Sequence, residues 1–184
     1  MYMEEADSKS SQDRILENKE SIRDTEMSTD YLYTFDDNNS EAAKNQQGEN
    51  TSVGVYSGKG YSHAEKNTGW FSYDLKIDPS AEANYLNCTY YSGDSGRTFD
   101  LYVNGKKLKT VTINTDAGKN TFYVDTTEIP AEYLTEGSDT ITVKFQAIAG
   151  KNSYVGGLYG ISTSSAKEYD TDASLSALSF DIGT

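Results

Sequence analysis

Trp70, Tyr91, Asp94 and Arg97 stand out by residue type and by register. In GWFSYDLKID (69–78), Phe71, Tyr73, Leu75 and Ile77 alternate with Trp70, Ser72, Asp74, Lys76 and Asp78. A period of two marks a half-buried strand, and it sets the only tryptophan on the polar side. In NYLNCTYYS (84–92), Tyr90 shares parity with Leu86 and Cys88, whereas Tyr91 falls with Tyr85, Asn87 and Thr89. Tyr91 is therefore the outward ring of the pair. GDSGR follows at once and brings Asp94 and Arg97 to the same turn. A flat ring that lies on C–H faces, beside planar polar groups that fix hydroxyls, is what saccharide recognition needs. An arginine fork can hold two vicinal hydroxyls. Tyr61 and His63, in KGYSHAEKNTG (59–69), could close over such a ligand, and Tyr154 before VGG is a further candidate. Each has a plain alternative. Trp70 can lie under the 58–69 loop as a lid, Asp94 and Arg97 can pair to stabilise their own loop, and a loop histidine can be merely solvated.

Other chemistry finds little to work with. Glycoside hydrolysis needs two carboxylates at a set separation, one with a raised pKa, and nothing singles out such a pair among the acids. A Ser–His–Asp arrangement would rest on the single histidine, His63. One cysteine rules out an internal disulfide, and Cys88 alternates with Leu86 and Tyr90 as a small core hydrophobe would. Cysteine and histidine together supply too few ligands for a zinc site. The expectation is a chain that is not itself an enzyme.

The elements that must position these residues read as strands. YLYTFDD (31–37), TSVGVYSG (51–58), WFSYDLKID (70–78), NYLNCTYYS (84–92), RTFDLYV (97–103), KKLKTVTIN (106–114), NTFYVDTTEIP (120–130), DTITVKFQAIA (139–149) and GGLYGISTS (156–164) recur between turn signals. Asn104-Gly105 is a strong hairpin turn. NNSEAAKNQQGEN (38–50) and the segment 58–69 read as loops. Short strands at this spacing predict an all-β, antiparallel β-sandwich over 31–165. Its inward set is Phe71, Tyr73, Leu75, Phe99, Leu101, Val103, Phe122, Val124, Ile141, Val143 and Phe145.

The ends read differently. Residues 1–30 are charged and poor in apolar residues, a linker or leader. Residues 166–184 pass from a polar link into Leu175, Leu178, Phe180 and Ile182, the start of a strand that ends with the chain. The net charge is −13, and the first 50 residues alone hold 13 acids against 5 bases. Such a balance repels phosphate backbones and anionic lipid, so neither nucleic acid nor membrane is expected as a partner. No apolar run approaches the ~20 residues of a membrane span, and no signal-peptide pattern opens the sequence.

The order of motifs then becomes specific. GENTSVG (48–54), GWFSYDLKID, YLNCTYYSGDSGRTFDLYVNGKKL (85–108), IPAEYLTEGSDTITVKFQA (129–147) and GGLYGI (156–161) together resemble one bacterial domain. It is the β-sandwich at the C-terminal end of enzymes related to glycoside hydrolase family 127, the β-L-arabinofuranosidase group. More loosely, the order resembles the jelly-roll carbohydrate-binding modules of families 6 and 35. The resemblance runs from about residue 48 to 163. It implies a jelly roll and a non-catalytic accessory module of a secreted or cell-surface, multi-domain bacterial glycoside hydrolase. The tail would then open an immunoglobulin- or cadherin-like module. The implied partners are an oligo- or polysaccharide and the neighbouring domains of the same chain. The candidate ligand contacts are those picked out above by residue type and register: Trp70, Tyr91, Arg97 and Asp94, with Tyr61 and His63. A domain of the same build without a ligand, buttressing or spacing a catalytic domain, is the alternative. Modules of this kind often carry a structural calcium, for which Glu49 and Asn50 are the candidate ligands, although GGLYGI stands where a late acidic partner is usual.

Overall fold

The structure, a computed structural model, describes residues 28–33 and 40–166. The charged segment before residue 28 and the apolar pattern after residue 166 lie outside the described residues. Twelve strands follow in order. They are β1 (Ser28–Tyr33), β2 (Gln47–Glu49), β3 (Thr51–Tyr56), β4 (Lys59–Ala64), β5 (Trp70–Lys76) and β6 (Asn84–Tyr91). Then come β7 (Thr98–Val103), β8 (Lys106–Thr112), β9 (Phe122–Ile129), β10 (Thr140–Gln146), β11 (Val155–Leu158) and β12 (Gly160–Ser164). A single helical turn, α1 (Ser40–Ala43), precedes β2.

The strands form a four-stranded sheet β1-β12-β6-β9, a five-stranded sheet β2-β5-β10-β7-β8 and a three-stranded sheet β11-β4-β3. All the described pairings are antiparallel. The two larger sheets face each other across one apolar core. Leu86, Cys88, Tyr90 and Ile161 come from one side, and Phe71, Tyr73, Leu75, Phe99, Leu101, Val103, Ile141, Val143 and Phe145 from the other. In β5 the expected inward set is buried, Phe71, Tyr73 and Leu75, while Trp70 is not; Ser72, of the outward parity, is covered as well. Tyr90 is fully buried and Tyr91 points away, as parity requires.

Four expectations are corrected. Phe122 and Val124 face outward, because β9 pairs with β6 in the register Tyr90↔Tyr123 and Tyr91↔Phe122. Tyr90 is inside, so Tyr123 must be, and the phase of β9 is the opposite of the one expected. Period two alone cannot choose a face when one parity carries Phe and Val and the other Tyr and Ile. Secondly, the segment 58–69 is not a loop along its length. Ser57 (φ 54°) and Gly58 (φ 77°) make a two-residue hairpin turn, and Lys59–Ala64 returns against β3. Its inward residues are Ser62 and Ala64, so no apolar alternation announced it. Thirdly, 156–164 is broken at Tyr159 between β11 and β12. Lastly, Gln47–Glu49 adds a short strand to the edge of β5. β1 opens at Ser28, inside the segment that reads as leader.

Candidate functional site

The hairpin β3–β4 is what assembles the site. Opposed residues share a face, so Ser52↔His63, Gly54↔Tyr61 and Tyr56↔Lys59 look one way and the Val53↔Ser62 pair the other, with Ser62 buried and Val53, on the edge strand, 42% exposed. Ser62 Oγ accepts from the buried Tyr73 hydroxyl at 2.9 Å, which ties the inward side to the core. The outward side meets the end of β6, the start of β9 and the 154–159 segment. Glycines make room for it. A Cβ on Gly54 would stand 2.7 Å from the Tyr61 ring, and one on Gly157 would stand 3.2 Å from it. A Cβ on Gly93 would run into the ring of Tyr91. The rings of Tyr61 and Tyr91 therefore pack on bare glycine backbone.

The result is a continuous row of rings. Tyr56 and Tyr91 have centroids 4.9 Å apart, Tyr91 and Phe122 5.0 Å, and Phe122 and Tyr159 4.9 Å. The row continues from Tyr159 to Tyr61 at 5.4 Å, to His63 at 5.8 Å and on to Tyr154 at 6.0 Å. Tyr56 is 48% exposed, Tyr159 is buried, and the others lie between. Tyr159 is thus the floor and Tyr56 the rim. The Tyr91 hydroxyl donates to Asn120 Oδ1 at 3.4 Å and lies 3.2 Å from the Tyr56 hydroxyl. That hydrogen bond with Tyr56 raises the Tyr91 phenol above its ordinary pKa, so its hydroxyl is a neutral donor in the physiological range. The same is true of Tyr159, whose pKa is raised by burial first and then by Asp94.

Arg97 is the staple of the other end. Its Nη1 donates to the Gly156 carbonyl at 3.1 Å, its Nη2 stands 3.5 Å from Asp94 Oδ1, and its guanidinium carbon is 5.4 Å from the Tyr154 ring centroid. The Gly156–Gly157 peptide beside it is cis. His63 stacks on Tyr154 with only 6° between the planes, and Ser52 Oγ lies 3.0 Å from its Nδ1. Burial, and then Arg97, lower its pKa below the ordinary value, so the imidazole is neutral at pH 7.

Of the six residues read as ligand contacts, Tyr61, His63, Tyr91, Asp94 and Arg97 come together here. Trp70 does not join them. It lies on the outer face of the five-stranded sheet, opposite Glu49 and Gln146, with Lys144 Nζ 4.5 Å from its ring centroid. The segments after Gly58 and Gly93 meet at Tyr154 and Gly156, through His63, Lys66 and Arg97. An ammonium over an indole explains a tryptophan on a wet face without any ligand. Tyr56, Phe122, Tyr159 and Asn120 were missed. The readable signals were Gly54 inside a strand pattern and the Gly-Gly pair, both marks of close backbone approach.

Glu49 and Asn50, the residues read as calcium ligands, stand at the end of β2 and the turn into β3. Calcium takes six to eight oxygen ligands. Asn50 turns its Nδ2 to Thr68 Oγ1 and uses its carbonyl for the Glu65 amide, and no group of three His, Cys, Asp or Glu side chains gathers among the described residues. An open depression lies at the far end of β6 and β9, walled by Pro79, Glu82, Asn84, Glu128, Pro130 and Glu136. It holds no aromatic ring and is remote from the row.

The chain belongs to the family of unknown function DUF6805, whose model matches residues 26–163. No curated protein matches it. Its fold is the jelly roll of a family 35 carbohydrate-binding module from Clostridium thermocellum, with 16% identity and a TM-score of 0.55 over 74% of this chain and 98% of that one. It is also similar to part of an exo-β-1,3-galactanase from Phanerochaete chrysosporium, solved with β-1,3-galactotriose. There the identity is 17% and the TM-score 0.51 over 72% of this chain. This chain spans 28% of that enzyme's length.

Proposed function

We propose that this member of the family is a non-catalytic module that binds an oligo- or polysaccharide against the ring row from Tyr56 to Tyr154. The observation that carries the reading is the row itself. Exposed and half-exposed rings, two of them packed on glycine backbone, are rimmed by the Asn120 amide, the Arg97–Asp94 pair and phenolic hydroxyls. Sugar rings present C–H faces to aromatic planes and hydroxyls to planar polar groups, and this surface offers both. Asp94 is committed to Arg97, so it is not poised as one of the two opposed acids that glycoside hydrolysis requires. The likeness of the fold to carbohydrate-binding modules supports the reading.

The resemblance to the C-terminal sandwich of family 127-related enzymes extends it. The module would serve a secreted or cell-surface bacterial glycoside hydrolase, with the sandwich as one unit between a charged leader and a further module. A spacer role is favoured by one observation: Arg97 holds Asp94 and Gly156, as a loop staple would. The two readings separate on a glycan array probed with the chain and with Tyr56→Ala/Tyr91→Ala. Binding of a defined glycan that the double variant loses at an unchanged Tm supports the module. A blank array for the folded chain supports the spacer.

A further inference from the structure

The face of the β3–β4 hairpin that carries Tyr56, Tyr61 and His63 repeats at the strand period. Residues two apart on a strand share a face, and four residues span about 13 Å. Three stations therefore follow one another along the hairpin. At the turn stands Tyr56, 48% exposed, its hydroxyl 3.2 Å from that of Tyr91, which donates to Asn120 Oδ1. In the middle Tyr61 lies across Gly54, and Gly157 packs on the same ring. At the third station Ser52 Oγ lies 3.0 Å from His63 Nδ1, and the His63 ring stacks on Tyr154. Ser52 and Tyr56, at the two ends, are both exposed, while Tyr61 and His63 are partly covered.

Each station offers a ring, and each end adds groups that hydrogen-bond. At the turn these are two phenol hydroxyls and the Asn120 amide; at the far end they are the Ser52 hydroxyl and the imidazole. Recognition of one sugar at a chain end needs a ring and a single set of polar groups converging on it. On this hairpin two polar sets stand apart, at stations separated by about 13 Å along the strand. A sugar unit advances its chain by no more than one station, so contact with both sets takes at least three units in a row. Both ends of the hairpin face are exposed, so the chain can run on past either. Resting on the glycan-binding reading above, we propose that the ligand is an internal stretch of three or more consecutive sugars, lying along the hairpin from Tyr56 over Tyr61 to Ser52 and His63. Gly54 keeps β3 bare at the middle station, so the chain is not lifted off Tyr61. Ser52 and His63 set the length requirement, because they meet a unit that a disaccharide seated at Tyr56 does not reach.

The test is titration calorimetry of the full chain at pH 7 with four series of sugars: debranched arabinan, linear galactan, xylan and mannan. Each series comprises oligosaccharides of one to six units and the parent polymer. Ser52→Ala/His63→Ala and Tyr56→Ala are titrated beside the full chain, and thermal melts confirm that both variants fold. The expected result, in at least one series, is affinity that rises about tenfold from two units to three and changes little beyond four. Several copies of the chain then bind each polymer molecule, as internal sites allow and chain ends do not. The Ser52/His63 variant keeps the two-unit affinity and loses the gain from the third unit, whereas Tyr56→Ala weakens every length. A merely structural defect would lower all lengths alike in both variants. Equal affinity for one unit and for six, with one copy on each polymer molecule, overturns the internal stretch and leaves the glycan-binding face standing. A third-unit gain that survives Ser52→Ala/His63→Ala overturns the path along the hairpin. Binding in none of the four series overturns the proposal, and with a blank array it overturns the binding reading as well.

Discussion

At the scale of single residues, position relative to backbone matters more than chemical type. Trp70 has the best stacking ring in the chain, yet it is held under Lys144 away from the row. Tyr56 was unremarkable in sequence, and at 48% exposure it is the rim of the row. Trp70→Ala is therefore expected to leave glycan retention unchanged, whereas Tyr56→Ala reduces affinity about tenfold, or ~1.4 kcal/mol, with little change in Tm. Titration calorimetry on the two variants checks both. His63 gives a pH dependence. Burial and Arg97 lower its pKa in the fold below the unfolded value of 6.5, so the unfolded chain takes up a proton first as pH falls. Its contribution to stability is therefore full above the unfolded pKa and is lost as pH drops through the folded one. Urea melts at pH 7 and pH 5 should show a loss of stability at pH 5 that is smaller in His63→Gln. An equal loss in that variant would assign the effect to carboxylates.

At the scale of elements, legibility followed side-chain contrast. β5, β7 and β10 read correctly because each alternates large apolar with polar residues over a two-sided boundary. β4 was invisible because its inward residues are Ser62 and Ala64, and its outward ones are Tyr61 and His63, an inverted contrast. β9 was seen with its faces exchanged, because Tyr91 sets the side on which Phe122 lies. Both failures fall on the ring row. A binding face places aromatics outward, so the rule that puts aromatics inside fails there. The glycines make the dependence testable. Gly54→Ala places a methyl group 2.7 Å from the Tyr61 ring, which must swing off the strand. Weaker glycan binding with only a small fall in Tm is expected, whereas Phe145→Ala, in the packed core, should cost about 3–5 kcal/mol by denaturant unfolding.

At the scale of the whole molecule, two sheets enclose a core rich in aromatics, and a third, small sheet is hung on one end to carry the row. The fold class was legible because many short alternating segments with turn signals leave few architectures open. The composition of the row was not, because it joins residues more than 100 positions apart through register and through glycine contacts that sequence spacing does not encode. A fragment spanning 26–166 is expected to unfold in one transition at the Tm of the full chain, as the two larger sheets already close one core. The central claim is that glycan lies on the row from Tyr56 to Tyr154 and not on Trp70. Its most direct test is amide chemical-shift mapping of the ¹⁵N-labelled chain titrated with a glycan selected on the array. The account predicts shifts at 54–61, 91–97, 120–122 and 154–159, with the Trp70 indole N–H resonance unmoved. Shifts centred on Trp70 and β10, with those segments silent, would contradict it.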